Sequence, residues 1–172
     1  MPVQVLHQVD CFTRRGHRWS DKFASITDSI RQLAAKQIWL DGELVVMLED
    51  GKSCFGSLQQ AVARRNQQCL AYYAFDLLYL DGKDLCREPL QIRKKMLFGL
   101  IGEGKWNLRT IDYIQGHGPD FFLLACNQNL EGIISKKAGS IYRPGNRSKE
   151  WVKVKCRGYS ETRHVKWEWW KV

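Results

Sequence analysis

The chain has 172 residues, enough for one domain with a buried core, and its balance of 44% hydrophobic and 26% charged residues excludes a mainly disordered polymer. The longest apolar runs are too short to span a bilayer, so no membrane association is expected, and no signal peptide is expected either. The formal net charge is +9, and residues 130–172 carry eleven Lys/Arg against four Asp/Glu, which puts most of the excess in the last quarter. Such an excess fits either a polyanion partner, a nucleic acid or a nucleotide phosphate, or a merely solvated surface.

Residues 3–14 read as two short strands, from the alternation of Val3 and Val5 with polar residues and the β-like run Cys11–Phe12–Thr13. Arg15–Gly16 reads as a turn. Ser20 is a candidate N-cap, and Phe23, Ile26, Ile30, Leu33 and Ala34 recur at helical spacing, so 20–36 is expected to be one amphipathic helix. Ile38–Leu40 and Glu43–Leu48 read as strand on either side of an Asp41–Gly42 pivot, followed by a turn at Glu49–Gly51. A short helix is expected over 56–66. The apolar, aromatic run Leu70–Leu80 is expected to be a buried strand closed by Asp81–Gly82. Pro89 suits a helix start, with Leu90, Leu97, Leu100 and Ile101 on one face, and Gly102 and Gly104 end that helix. Leu108–Ile114 reads as strand. Pro119 opens a last helix in which Phe121, Leu124 and Ala125 share a face. Gly132–Lys137 and Trp151–Cys156 read as strands joined by a Gly/Pro/Arg/Ser loop. Mixed elements with adjacent strand pairs predict an α+β domain with largely antiparallel sheets flanked by helices.

The six cysteines, Cys11, Cys54, Cys69, Cys86, Cys126 and Cys156, are scattered and form no Cys-x-x-Cys pair. They are expected to be small buried thiols in a reducing cytoplasm, neither a zinc site nor disulfides. Two carboxylates stand beside glycines, Glu43 in LDGELVV and Glu131 in LEGIISKK. A glycine there permits close backbone approach, and paired carboxylates can hold Mg²⁺ or accept from ribose hydroxyls, although either motif alone reads equally as a simple turn. In WVKVKC, strand alternation puts Lys153 and Lys155 on one face, a candidate phosphate clamp or an ordinary solvated strand. Phe75, in YYAFDLLYLDG, is either a purine-stacking ring or a core residue.

Taken in order, LDGELVV, YYAFDLLYLDG, LEGIISKK and WVKVKC resemble the successive nucleotidyltransferase motifs of ATP-dependent DNA ligases, above all the bacterial ligase domain linked to non-homologous end joining. TRRGHRWSDKF is similar to that family's segment after the nucleophile motif, and IYRPGNRSKEW to its loop before the last motif. The resemblance covers roughly residues 3–157. It implies the nucleotidyltransferase fold of ATP-dependent ligases over 1–157, followed by a divergent Trp/Lys-rich tail, 158–172, that is either a stacking patch for single-stranded nucleic acid or unstructured.

The resemblance also implies a reaction. A lysine attacks the α-phosphate of ATP to give a lysyl-AMP, the AMP passes to the 5′-phosphate of a nick, and the 3′-hydroxyl displaces it. Glu43 would bind ribose or the metal side of the site, Phe75 would stack on adenine, and Glu131 would help hold Mg²⁺ or Mn²⁺. Lys153 and Lys155 would contact the α-phosphate. Arg14 would lie near nucleotide and nick, and Arg147 and Lys149 would be loop contacts to DNA phosphate.

One part of the pattern is missing. The family's nucleophile motif, Lys-x-Asp-Gly, should precede the first strand. The Asp–Gly pairs here, Asp41–Gly42, Asp50–Gly51 and Asp81–Gly82, are preceded at the lysine position by Trp39, Leu48 and Tyr79. The chain is therefore expected to be truncated before that motif, to lack the family's oligonucleotide-binding barrel, and to be inactive alone unless a separately encoded N-terminal segment supplies the lysine. Two other readings remain: a non-catalytic ATP- or nucleic-acid-binding remnant, and an RNA ligase or capping-type nucleotidyltransferase.

Overall fold

An eleven-residue strand is the axis of the computed structural model, which describes residues 8–47, 52–53, 58, 60–61, 69–104, 107–128, 130–145, 149–157 and 165–166. In chain order the elements are α1 (Ala24–Arg31), β1 (Ile38–Val46), β2 (Lys52–Ser53), β3 (Leu70–Leu80), β4 (Lys83–Asp84), α2 (Leu90–Ile101), β5 (Leu108–Thr110), α3 (Gly118–Asn127), β6 (Gly132–Lys136), β7 (Trp151–Lys155) and β8 (Val165–Lys166). The main sheet places β3 between β1 and β5, with β4 a short hairpin return at its far end. A second sheet pairs β6 with β7, and β2 pairs with β8. The α+β expectation holds. One pairing departs from the antiparallel rule: β5 runs parallel to β3, reached through the crossover helix α2.

Both helices α1 and α2 lie against one face of the main sheet. Phe23, Ile26, Ile30 and Leu33 pack with Val46, Leu70 and Leu108, and Leu97 packs with Ala74, Leu77 and Leu85. Along β1 and β3 the alternate residues Val45, Ala71 and Tyr73 form a smaller apolar layer with Met47 and Ile111 on the opposite face. The second sheet has its own core, in which Ala125 of α3 meets Leu130 and Ile133.

The two sheets are tied by a buried ion pair. Arg93 of α2 and Asp76 of β3 are both fully buried, and the guanidinium donates through Nε and Nη2 to the two carboxylate oxygens, each at 2.8 Å. Its third nitrogen donates to the backbone carbonyl of Ser140, 3.1 Å away in the loop after β6. The same loop caps α2: Leu90 and Gln91, whose amides have no partner within the helix, donate to the carbonyls of Ser140 and Ala138.

Several boundaries differ from the sequence reading. Of residues 3–14 only 8–14 are described, and they form no strand beyond a single bridge, Phe12 to Arg18. The helix expected over 20–36 is a 3-10 turn, Ser20–Lys22, then α1, because the Ser20 hydroxyl turns away from the helix to accept from the Cys11 amide and donate to Asp10. Asp41–Gly42 does not divide the strand: β1 runs through it, with a register shift between the two residues. Of the helix expected at 56–66, Leu58, Gln60 and Ala61 are described, and all three are helical. The strand expected to reach Ile114 stops at Thr110. The cysteine expectation fails for one pair: Cys126 and Cys156 form a disulfide, because α3 packs on β6 and β6 on β7, which brings their Cα atoms to 5.4 Å across a separation of 30 residues. Among the described residues Cys11, Cys69 and Cys86 are thiols outside any disulfide, and Cys54 lies outside the described residues.

Burying an ion pair is rewarded only while both partners remain. Arg93→Ala should therefore lower the unfolding free energy by about 3–5 kcal/mol, whereas the double change Arg93→Met with Asp76→Leu should recover most of that loss. Urea unfolding followed by circular dichroism measures both; equal losses for the single and double variants would show that the pair is not what joins these elements.

Candidate functional site

The chemistry-bearing side chains gather where the second sheet faces the free side of the main one. On β1 the alternation that buries Val45 puts Glu43 on that side, opposite Tyr73 of β3. Phe75, two residues on, has no partner on β1, since the register passes from Asp41 opposite Asp76 directly to Gly42 opposite Ala74. Phe75 is the extra residue of a β-bulge, a device that re-aims a side chain out of the ladder. Leu78 is skipped in the same way one turn of the ladder further on.

The ring of Phe75 meets the second sheet through Lys136. The Lys136 ammonium lies 4.2 Å from the centroid of Phe75 and 3.7 Å from that of Trp151, its cross-strand neighbour. Trp151 is fixed in turn by its indole N–H, which donates to the Ser140 hydroxyl at 2.9 Å, and by edge-on contact with Tyr142. The Tyr142 hydroxyl donates to Asp41 at 3.1 Å. Lys136 therefore sits among Asp41, Asp76, Lys94 and Arg93, and burial, reinforced by the repulsion of Lys94, pulls its pKa down to about 8. Burial also raises the Asp41 carboxyl, against the Tyr142 hydrogen bond.

The other end of the same β6–β7 face carries the lysines. Lys153 and Lys155 both reach Glu131 Oε1, at 2.6 and 3.1 Å, as strand alternation requires for two side chains on one face. Their hydrogen bonds hold the Glu131 carboxyl below its usual range. Glu43 behaves oppositely. Its surroundings desolvate it and the negative charge of Glu131 adds to the effect, so its pKa rises, with Lys153 opposing. Lys153 thus lies electrostatically between the two carboxylates. Among the described residues no group of three or more His, Cys, Asp and Glu gathers at one point.

Both glycines beside the carboxylates lie inside strands, not in turns. A methyl group on Gly132, whose φ is 149°, would overlap the Val154 carbonyl oxygen, and one on Gly42 would overlap the Tyr72 ring and the Tyr73 carbonyl. The close approach they permit is that of the neighbouring strand.

Of the residues singled out in the sequence, the structure brings together Glu43, Glu131, Lys153 and Lys155, with Phe75 joined through Lys136. Arg14 is exposed in the turn at 14–15, and no contact among the described residues links it to this group. Lys149 is exposed just ahead of β7. Arg147 and the tail 158–172, apart from the strand Val165–Lys166, lie outside the described residues. Sequence reading gave Lys136 no role, and it missed Asp41, Tyr142 and Trp151 as a linked set. Only the period-two match of Lys136 with Ile134, in a strand paired with Trp151 and Lys153, pointed that way.

Comparison with known proteins is consistent in one direction. A family profile described as the ATP-dependent DNA ligase domain matches residues 3–155. The multifunctional non-homologous end joining protein LigD of Pseudomonas aeruginosa is 36% identical over 149 residues, which are 86% of this chain and 18% of that protein. The SPbeta prophage-derived DNA ligase-like protein LigB of Bacillus subtilis is 32% identical over 156 residues, 90% of this chain and 56% of LigB. Among solved structures, the ligase domain of M. tuberculosis LigD superposes with a TM-score of 0.68 at 28% identity, over 86% of this chain and 47% of that one. A mycobacterial DNA ligase D complexed with ATP and MES superposes equally well. The chain thus spans about a fifth of the LigD proteins and just over half of LigB.

The setting of Lys136 generates a measurement. Competitive acetylation between pH 6 and 11, read by peptide mass spectrometry, should show Lys136 titrating near 8 in the folded chain and at about 10.4 in the unfolded one. A folded-state midpoint above 10 would mean that the two rings stabilise the ammonium by more than burial costs it.

Proposed function

The chain belongs to the ATP-dependent DNA ligase domain family, and we propose on that footing that residues 1–157 are the part of a nucleotidyltransferase domain that holds ATP for transfer of its AMP to nicked or broken DNA. The single observation that carries this reading is the convergence of Lys153, Lys155, Glu131 and Glu43 at one end of a groove whose other end is the Phe75–Lys136–Trp151 cluster. Lys153 pairs with Ile134 in the ladder and Trp151 with Lys136, so the two ends are two residues apart along the strands, about 6.6 Å. That separation suits a ribose between a phosphate and a base.

Each side chain then has a role. Phe75, pushed out of the ladder by the bulge, offers its ring to adenine. Lys153 and Lys155 exchange Glu131 for the α-phosphate oxygens and neutralise the charge that develops there. Glu43 accepts from the ribose hydroxyls or faces the metal side. A divalent cation, Mg²⁺ or Mn²⁺, fits the oxygen donors of Glu43 and Glu131, and it would supply charge stabilisation at the phosphates with its remaining ligands from water and the nucleotide. Arg14, Arg147 and Lys149 would serve DNA phosphate.

The 172 residues contain no Lys-x-Asp-Gly. A lysyl-AMP therefore needs a lysine from outside them, upstream in the same polypeptide or on a separately encoded segment. Alone, these residues bind nucleotide and do not seal nicks. Residues 158–172 form a separate tail on this reading, and no helix among the described residues is long and apolar enough to cross a membrane.

Isothermal titration with ATP and Mg²⁺ tests the reading. The chain should bind. Phe75→Ala should weaken binding about tenfold, the worth of one stacked base, and Lys153→Ala with Lys155→Ala should weaken it further, while Lys137→Ala, whose ammonium pairs with Glu150 away from the groove, should leave it unchanged. Undiminished affinity in the double lysine variant would remove the phosphate clamp from the reading.

A further inference from the structure

The disulfide between Cys126 and Cys156 lies directly behind the paired lysines. Cys156 follows Lys155, and its amide donates to the Glu131 carbonyl at 2.8 Å, the last bond of the β6–β7 ladder at that end. Glu131 in turn holds both lysines through its carboxylate. Cys126 sits in the last turn of α3, next to Ala125, which is buried against Leu130 and Ile133 and whose carbonyl accepts from the Leu130 amide. The sulfur bridge therefore fastens the lysine end of β7 to the helix beneath β6.

Little else fastens that end. On the face of β7 that turns towards α3, Val152 and Val154 are still 48% and 37% exposed, so packing against the helix holds this strand only weakly. Each end of the ladder closes with one backbone bond, Lys137 amide to Glu150 carbonyl and Cys156 amide to Glu131 carbonyl, but the first end is also tied by the Trp151 indole to Ser140. At the Lys155 end the covalent bridge stands in place of that indole tie.

The geometry points to the Cys126–Cys156 pair as a redox modification site that tethers the phosphate clamp, holding Glu131, Lys153 and Lys155 firmly when bridged and loosely when reduced. The inference rests on the reading of those three residues as the nucleotide-phosphate site. The chemistry is thiol–disulfide exchange with a dithiol reductant. One thiolate of the reductant attacks a Cys sulfur and forms a mixed disulfide while the other Cys leaves as thiolate. The reductant's second thiol then displaces the remaining Cys and the reductant departs as its own disulfide, so two electrons and two protons pass to the cysteine pair. Cys126 is the more open of the two residues, Cys156 being 9% exposed, and the end of α3 is where attack begins. Oxidised glutathione drives the reverse reaction and is itself reduced.

Titration of the full chain with ATP and Mg²⁺, before and after dithiothreitol, tests this. Alkylation of the denatured protein, weighed by mass spectrometry, should count two fewer thiols in the bridged form. Reduction should weaken ATP binding about tenfold, speed amide exchange over 152–156, and reverse on treatment with oxidised glutathione. Cys126→Ser and Cys156→Ser should each be fixed at the reduced affinity and ignore both reagents. Equal affinity in the two redox states, or an unchanged thiol count after oxidation, overturns the switch and leaves the clamp reading standing. Absence of ATP binding in both states overturns the clamp reading and the switch with it.

Discussion

Everything that positions the groove passes through the buried pair of Arg93 and Asp76. A guanidinium enclosed without water must spend its donors on fixed acceptors, and here they come from three places: the carboxylate on β3, the carbonyl of Ser140 after β6, and the carbonyl of Glu88 before α2. The main sheet, the crossover helix and the return from the second sheet therefore cannot move independently without leaving a buried charge unmatched. Because Ser140 also accepts from the Trp151 indole and the Leu90 amide, the same loop fixes the aromatic end of the groove and the start of α2. The groove is rigid at that end for a reason remote from any ligand.

Asp76 also explains the bulge. Ala74 and Leu77 both face the α2 side and are completely buried, although they are three positions apart where regular alternation would require an even spacing. The extra residue lets Asp76 turn towards Arg93 while Tyr73 and Phe75 stay with the opposite side. One irregularity thus serves the core on one face of β3 and the groove on the other. A uniform strand through Leu70–Leu80 would have to give up either the ion pair or the placement of the Phe75 ring against Lys136.

This shows what the sequence could and could not reveal. Local signals sufficed for β3, α2, β6 and β7, where apolar runs and glycine or proline boundaries coincide, and for the shared face of Lys153 and Lys155, which follows from strand period alone. Family motifs marked Glu43, Glu131 and Phe75. What escaped was relational. Ser20 looks like a helix cap until Asp10 and the Cys11 amide claim its hydroxyl. The glycines beside the two carboxylates look like turns until the neighbouring strand is laid against them. Cys126 and Cys156 look like isolated thiols until two packing steps bring them together. Lys136 is one lysine of many until Phe75, bulged from another sheet, comes to lie beneath it.

The charges of the groove carry the argument one step further. Glu43 and Glu131 balance Lys153 and Lys155, so the ligand-free clamp is close to neutral, and its strongest contacts are internal. A triphosphate entering such a site gains little from lysines that remain paired, and it meets two carboxylates that repel it. The clamp becomes attractive only when Glu131 is given another partner. On the proposed reading, Glu43 and Glu131 would turn to a bound divalent cation, which would leave the Lys153 and Lys155 ammonium groups for the phosphate. The Glu43 carboxyl is raised chiefly by burial, with Lys153 opposing, whereas the Glu131 carboxyl is lowered by its hydrogen bonds to Lys153 and Lys155. Metal and nucleotide should accordingly bind as a pair, each making room for the other, because neither alone can satisfy the four groups that face the groove.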